Sequence, residues 1–291
     1  MLIWPDCILC TLKMAFSVAR TVLRDDARLM RFMKETLSLE CLAGDNLKLT
    51  APEIVRDVWV KLIELTGDPD PLREVKNEQN RSVLQLYPGL KETVKGSDDP
   101  LREAVRLCIA GNAIDTMAEA LSKSADRMVA ELADQQLDPD DFEAFRDRLT
   151  RARRIVYLGD NCGEIVFDRI VIETIRDMLG KEIVFVTRTL PVMNDATLAD
   201  ARAVGLERVA ELVENGIAEP LAGTMLAKVS LEVRKLIDDA DLIILKGGGN
   251  YDCMTEEASI RGRASFLFQA KCHPFSVRHQ VPLGSLVVYN A

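Results

Sequence analysis

The stretch Ile155-Val-Tyr-Leu-Gly-Asp-Asn-Cys-Gly-Glu164 joins a short apolar run to a glycine-containing loop and the start of a helical pattern. A continuous apolar run of this length is typical of a strand that is buried on both faces of a sheet. Similar runs follow at Ile183-Val-Phe-Val-Thr187 and at Leu242-Ile-Ile-Leu245. These three segments predict the centre of a parallel sheet.

Further strands and helices fit around this centre. Phe266-Leu-Phe268 and Leu286-Val-Val-Tyr289 are additional strand candidates, and residues 209–213 are a weaker one. Helical patterns lie between the strands, at residues 164–179, 195–204 and 226–238. Strands that alternate with helices predict an α/β fold, with a mostly parallel sheet flanked by helices in a Rossmann-like three-layer arrangement. This domain is expected to span residues 151–291.

Residues 1–150 show helical patterns and no strand pattern. Thr50-Ala-Pro-Glu53 has the features of a helix start, with a Thr cap, a first-turn proline and a Glu three residues after the cap. Asp70, Asp99 and Asp138 each precede a proline, which also favours a helix start. The sequence therefore predicts an all-helical N-terminal region, residues 1–150, packed on the α/β domain.

Composition limits the classes of function. The 291 residues carry a formal net charge of −9, which predicts against a broad nucleic-acid-binding surface because such surfaces are basic. No apolar run approaches the roughly 20 residues that cross a bilayer, so no membrane partner is expected. Seven cysteines, an odd number in a long chain, favour a reducing compartment. We therefore expect a cytoplasmic protein.

Polar groups follow three of the predicted strands. Asp160 and Asn161 come after the first, Asn194 and Asp195 lie in the loop after the second, and Lys246 precedes Gly247 after the third. Ligands bind at the carboxyl edge of open α/β sheets, so these groups are candidates for one site. Carboxylate and amide oxygens suit Mg²⁺ or Mn²⁺, and a lysine beside glycines suits an anion.

Each loop also has an ordinary structural interpretation. Asp160-Asn161 fits an Asx turn, Asn194-Asp195 fits a helix cap, and Gly247-Gly-Gly249 fits a strand-to-helix turn. Their coincidence at three strand ends favours the site over these separate interpretations. Glu164 is a candidate general base, although a glutamate at a helix start is also a favourable partner of the helix dipole.

Several motifs in order resemble those of the damage-control phosphatase family, long named domain of unknown function eighty-nine. They are Leu158-Gly-Asp-Asn-Cys-Gly-Glu-Ile-Val-Phe-Asp-Arg169, Pro191-Val-Met-Asn-Asp-Ala-Thr197 and Lys246-Gly-Gly-Gly-Asn250. Gly111-Asn-Ala-Ile-Asp115 and Cys7-Ile-Leu-Cys10 resemble features of its archaeal and bacterial branch. The resemblance covers essentially the whole chain. One departure is Gly248, where many relatives have glutamine, and this difference affects substrate choice more than catalysis.

The resemblance implies a divalent-metal-dependent phosphatase acting on small phosphorylated metabolites such as sugar phosphates. It implies Asp160, Asn161 and Asp195 as ligands of Mn²⁺ or Mg²⁺, with Co²⁺ or Ni²⁺ as alternatives. It implies Asp160, Asp195 and Lys246 as catalytic residues, with the nucleophile left open between water and an aspartate. The residues expected to bind substrate are Asn112, Asp115, Glu164, Asn194, Lys246, Gly247 and Asn250.

Two other functions are compatible with the sequence. An S-adenosylmethionine-dependent carboxyl methyltransferase is one, but the first loop lacks a G-x-G-x-x-G motif. A non-catalytic protein that binds a phosphorylated metabolite or a metal is the other. Cys7 and Cys10 form a single Cys-x-x-Cys pair, which suits half a zinc site or a redox pair, but buried structural cysteines are favoured because no second pair exists.

Overall fold

A computed structural model of the chain describes residues 1–44, 47–111 and 135–291. The predicted substrate-binding residues Asn112 and Asp115 lie outside the described residues. The helices before the sheet are α1 (Pro5–Val22), α2 (Asp26–Leu37), α3 (Glu40–Ala43), α4 (Ala51–Thr66), α5 (Arg73–Gly96), α6 (Pro100–Ala110) and α7 (Pro139–Arg151).

Strands and helices alternate in the rest of the chain, with short 3₁₀ turns at Leu206–Arg208 and Ala258–Ile260. The strands are β1 (Ile155–Leu158), β2 (Ile183–Thr187), β3 (Glu211–Glu214), β4 (Leu242–Lys246), β5 (Ala264–Gln269) and β6 (Leu286–Asn290). The helices are α8 (Glu164–Leu179), α9 (Leu198–Ala203), α10 (Leu231–Asp239), α11 (Gly247–Met254) and α12 (His273–His279).

The six strands form one sheet in the order β3-β2-β1-β4-β5-β6. Every pairing is parallel except that of β6 with β5. Alternate residues of the strands enter two cores: Tyr157 and Ile244 pack on one face, and Leu158 and Leu245 pack on the other. The predicted α/β fold, with a mostly parallel sheet between two helical layers, is confirmed.

The helix caps explain where several helices begin. Thr50 and Glu53 form the predicted capping box of α4, and Asp99 and Asp138 cap α6 and α7. The predicted helix at residues 195–204 is wrong at its start. Thr197 and Asp200 form the capping box there, so the helix begins at Leu198 and Asp195 stays in the loop.

The helical region and the sheet share one core. Side chains of α5 and α6, among them Val83 and Ile109, belong to the same buried cluster as Tyr157 and Phe185. The division at residue 150 stays a prediction. Among the described helices, none is long and apolar enough to cross a membrane.

Candidate active site

The predicted site residues meet at the carboxyl edge of β1, β2 and β4. Asp160 follows β1, Arg188 follows β2, and Lys246 ends β4. The loop after β2 returns to the loop after β1, because Asn161 and Asp195 form an isolated antiparallel bridge. The amide of Cys162 also donates to the carbonyl of Asn194 at 2.8 Å. The backbone therefore fixes the two loops that carry the predicted metal ligands side by side.

Arg188 joins the two aspartates. Its Nε donates to Oδ2 of Asp195 at 2.6 Å, and its Nη2 donates to Oδ1 of Asp160 at 3.1 Å. Its Nη1 donates to Thr224 Oγ1 at 3.1 Å and to Asn250 Oδ1 at 3.2 Å. A guanidinium presents its donors in a rigid planar fork, so it holds the two carboxylates in a fixed relative orientation.

Lys246 lies beneath this pair in a fully buried position. Its Nζ donates to the carbonyl oxygen of Cys108 at 3.2 Å and lies 3.5 Å from Glu164 Oε2 and 3.6 Å from Asp168 Oδ1. Burial alone lowers the pKa of Lys246, but Asp168, with Cys108 and Glu164, raises that pKa well above its usual range. The lysine is therefore held as a cation.

Asn161 connects the first loop to α8. Its Nδ2 donates to Glu164 Oε1 at 2.9 Å and to Asp160 Oδ2 at 3.2 Å. Asn161 therefore links the carboxylates of Asp160 and Glu164 through its amide nitrogen.

Gly247 and Asn250 pack the first turn of α11 against the β1 loop. A Cβ on Gly247, which has φ of +77°, would lie 1.8 Å from Asp160 Oδ2. Asn250 is fully buried, and its Nδ2 donates to the carbonyls of Gly159 at 2.9 Å and Lys246 at 2.7 Å. Its side chain therefore joins the ends of β1 and β4 beneath the site. A Cβ on Gly248 would lie 3.0 Å from the Phe275 ring, so a side chain there would point toward that ring.

The site contains more negative than positive side chains. Four carboxylates and two cations come together, and none is more than 6% exposed: Asp160, Glu164, Asp168, Asp195, Arg188 and Lys246. Burial, the neighbouring Asp195 and then Glu164 raise the pKa of Asp160 well above its usual range. Buried carboxylates in excess are costly unless a further cation balances them.

The donor set fits a hard divalent cation. Within residues 1–44, 47–111 and 135–291, no three His, Cys, Asp or Glu side chains form a ready metal-binding group. The candidate donor set is the predicted one, two carboxylates from Asp160 and Asp195 with the amide oxygen of Asn161, and its metal-binding role stays a prediction. Such oxygen donors, with the excess of two negative charges, suit Mg²⁺ or Mn²⁺.

Helix α5 adds a polar face that the sequence interpretation missed. Lys76, Gln79 and Asn80 are buried at helical spacing, and Asn80 Oδ1 accepts the Gly163 amide at 2.7 Å. Lys76 Nζ lies 2.7 Å from Asp70 Oδ2 and 3.5 Å from Asp200 Oδ2. Asn80 Nδ2 and Gln79 Oε1 have no hydrogen-bond partner among the described residues. Since the buried face of a helix is normally apolar, the polar spacing at 76, 79 and 80 was an available signal.

Comparison with known proteins decides the family. The model of the damage-control phosphatase ARMT1-like domain matches residues 3–287. The chain belongs to the damage-control phosphatase family. A damage-control phosphatase of Archaeoglobus fulgidus is 31% identical over 99% of this chain and 98% of its own length. A damage-control phosphatase of Pyrococcus horikoshii is 31% identical over 86% of this chain and 85% of its own length.

The fold of the damage-control phosphatase family is also found in a solved structure. The crystal structure of a domain-of-unknown-function-89 protein from Pyrococcus horikoshii superposes with a TM-score of 0.87 and 27% identity, and the match covers 100% of both chains. An uncharacterised protein of Methanocaldococcus jannaschii is 29% identical over 98% of this chain and 94% of its own length.

Three of the cysteines lie beside the cluster of buried charged residues: Cys108 bonds Asp168, Cys162 follows Asn161, and Cys253 interacts electrostatically with Arg188. All seven are free of disulfide bonds. The prediction that Cys7 and Cys10 are buried is wrong, because Cys10 is exposed and Cys7 is half-buried in the first turns of α1.

Arg188 and Asp168 are the further cluster members that sequence reasoning did not assign. Arg188 directly follows the predicted strand that ends at Thr187, but nothing in the sequence showed that it bonds both aspartates.

Proposed function

We propose that this member of the damage-control phosphatase family is a divalent-metal-dependent phosphomonoester hydrolase. Its substrates are small phosphorylated metabolites such as sugar phosphates, and its site is the cluster at the carboxyl edge of β1, β2 and β4. Family membership supports the reaction class, since the relatives from Archaeoglobus and Pyrococcus are named damage-control phosphatases. The metal requirement is supported by the geometry of the cluster, and the substrate class follows from the resemblance to the family.

One observation carries the proposal. Asp160 and Asp195 are both bonded to Arg188, Asn161 lies beside them, and the buried carboxylates outnumber the buried cations by two. A divalent ion bound here would offset the excess of carboxylates, and Asp160, Asp195 and Asn161 are the residues that would hold it. The resulting positive centre attracts a phosphate group in a protein whose net charge is −9.

The residues of the chain divide the work of hydrolysis. The bound ion supplies a Lewis acid that polarises the phosphoryl group and offsets its charge. Lys246, held as a cation by Glu164 and Asp168, stabilises the negative charge that develops on the phosphoryl oxygens. Arg188 is a positioning residue, because its donors are engaged by Asp160, Asp195, Thr224 and Asn250. Glu164, whose Oε2 lies 3.5 Å from Lys246 Nζ, is the proposed general base that accepts a proton from water.

The two alternatives have less support. A methyltransferase needs a nucleoside pocket rather than a buried excess of carboxylates beside a lysine, and none of the relatives above carries a methyltransferase name. A non-catalytic binding protein would use the same cluster without turnover.

A phosphate-release assay tests the proposal. The purified chain is incubated with a panel of sugar phosphates and p-nitrophenyl phosphate, with Mn²⁺, Mg²⁺, Co²⁺ or Ni²⁺ in separate arms and EDTA as control. We expect release of phosphate with at least one metal and none with EDTA. Saturable binding without release on the whole panel would identify a binding protein. Calorimetric binding of S-adenosylmethionine without phosphate release would identify the methyltransferase.

A further inference from the structure

A group of arginines lies at the amino edge of the sheet, opposite the candidate active site. Five arginines fall within the nine residues from 146 to 154, at 146, 148, 151, 153 and 154. This segment contains the end of α7 and leads directly into β1. In a parallel sheet the amino ends of the strands meet at one edge, so these arginines are separated from Asp160 by the length of β1. They form a local positive region on a chain with a net charge of −9.

Two adjoining cavities are lined by four of these five arginines, and Arg146 instead pairs with Asp99 and Glu143. The first has a volume of about 730 Å³, and its charged lining consists of Arg148, Arg151, Arg153 and Arg154 with one carboxylate, Asp241. The second has a volume of about 590 Å³ and shares Arg153 and Arg154 with the first. It adds Arg176, Lys181 and Arg208, with four carboxylates: Glu182, Glu207, Glu211 and Asp239. The excess of cations is therefore concentrated in the first cavity.

This segment is anchored by the Arg148 guanidinium, which donates to the carbonyls of Ala264 and Ala291, and by the backbone amides of Arg153 and Arg154. The amides of Arg153 and Arg154 donate to Asp241 Oδ2 at 3.0 and 2.9 Å. The Arg154 guanidinium lies 3.9 Å from Asp241, and no ion pair within 4.0 Å involves the Arg153 guanidinium among the described residues. Arg151 pairs with Asp147 at 3.1 Å, but both side chains are exposed, and such pairs exchange readily for another anion. Three guanidinium groups are thus available to a ligand.

We propose that this amino-edge cavity binds a small anion that carries two or more phosphate groups, such as pyrophosphate or a nucleoside triphosphate. Guanidinium groups bind phosphate oxygens in a bidentate manner, and three of them exceed what one phosphate group engages. Cavities of this size are typical of small-molecule sites. A nucleic acid would need a wider basic surface, and the carboxylates of the second cavity interrupt it.

Calorimetric titration tests the site directly. Pyrophosphate, ATP and inorganic phosphate are titrated separately into the full chain at low salt in EDTA, which removes divalent ions from the carboxyl edge. We expect saturable binding of pyrophosphate and ATP, with weaker binding of inorganic phosphate. In the R153A/R154A variant the affinity falls at least about tenfold, because two of the guanidinium groups are lost. The backbone bonds to Asp241 remain in this variant, so its thermal unfolding matches that of the wild type.

The R31A/K34A variant is the matched control. It removes two cations from the exposed side of α2, and the same loss of net charge should leave the affinity within about twofold. Arg153→Glu is the second test variant, because it reverses one exposed charge and leaves the Arg154 side chain intact. The proposal is overturned if the wild type shows no saturable binding up to about 5 mM ligand. Equal weakening by both double variants, or unchanged affinity in R153A/R154A, also overturns it.

Discussion

Arg188 donates from Nε to Oδ2 of Asp195 at 2.6 Å, and both side chains are almost completely buried. The same guanidinium reaches Asp160 at 3.1 Å. One guanidinium therefore bonds two carboxylates that would otherwise repel each other. These hydrogen bonds fix the relative positions of Asp160 and Asp195, the two carboxylates predicted as metal ligands.

Substitution of Arg188 is expected to destabilise the fold and to make the remaining stability depend on divalent ions. Arg188→Ala leaves two buried carboxylates without their cation, which costs about 3 to 5 kcal/mol of unfolding free energy. Arg188→Lys keeps the charge but cannot bond both aspartates, so we expect a smaller loss of stability with a large loss of activity. Urea unfolding with and without Mn²⁺ measures the loss of stability and its dependence on the divalent ion. Mn²⁺ should stabilise Arg188→Ala more than the wild type, and equal stabilisation would contradict this role.

Asp160→Ala is expected to lower metal-dependent phosphate release by at least about 100-fold. The same change should remove the stabilisation by Mn²⁺, which for the wild type is about 2.7 kcal/mol at a hundredfold excess over Kd. Thermal unfolding with and without Mn²⁺ gives this second readout, independent of catalysis. Asp147→Ala, an exposed carboxylate on α7, serves as the control and should keep both properties. Wild-type release rates in Asp160→Ala would reject the assignment.

Gly247→Ala is expected to abolish activity through a steric effect. The new methyl group would lie 1.8 Å from Asp160 Oδ2, so the carboxylate must leave its position between Arg188 and Asn161. Gly262→Ala is the matched control, because Gly262 has φ of +81° but no atom within 4 Å of the added Cβ. Both variants carry a backbone strain of about 1 kcal/mol, but only Gly247→Ala should lose phosphate release and Mn²⁺ binding. Equal activities would show that Asp160 tolerates displacement.

Glu173 links α8 to α5 and is expected to contribute to stability above about pH 4 and to lose this contribution in acid. Burial alone would raise its pKa, but Lys91, Tyr87 and Arg169 outweigh this effect and lower the pKa below its usual range. A carboxylate with a lowered folded pKa stabilises above its unfolded pKa, about 4.3, and loses this contribution as the pH falls through the folded value. Glu173→Gln should therefore be less stable than the wild type at pH 7. The difference in urea midpoints should narrow below about pH 4, whereas a constant difference would mean that packing, not charge, explains the effect.

The central strands could be predicted because β1, β2 and β4 are continuous apolar runs next to glycine or polar loops. The edge strand β3, Glu211-Leu-Val-Glu214, was the weakest prediction because its ends are polar and exposed and its two middle residues are only half-buried. The clustering of Asp160, Asn161, Asp195 and Lys246 followed from the rule for parallel sheets. Their roles stay predictions.

Contacts between distant segments could not be predicted in the same way. The bond between Lys246 and the Cys108 carbonyl joins residues 138 positions apart, and no local pattern indicates it. Arg188 was invisible for the same reason, since a lone arginine after a strand does not show which carboxylates it bonds. The helical spacing of Lys76, Gln79 and Asn80 can be recognised in the sequence. These residues lie within α5, which packs against α8, and the rule for strand ends does not point to them.

The bond from Lys246 to Cys108 and the bond from Gly163 to Asn80 both reach across from the sheet to the helices that precede it. A fragment containing only residues 151–291 would carry every predicted metal ligand, yet its lysine and its first loop would each miss an acceptor. A chimera that exchanges the first half with that of a relative must therefore preserve α5 and α6 together with the loops they touch. In this chain α5 and α6 are part of the scaffold of the candidate active site. Recombination between homologues is therefore expected to succeed only when both halves come from one parent or are matched at the Lys246–Cys108 and Gly163–Asn80 contacts.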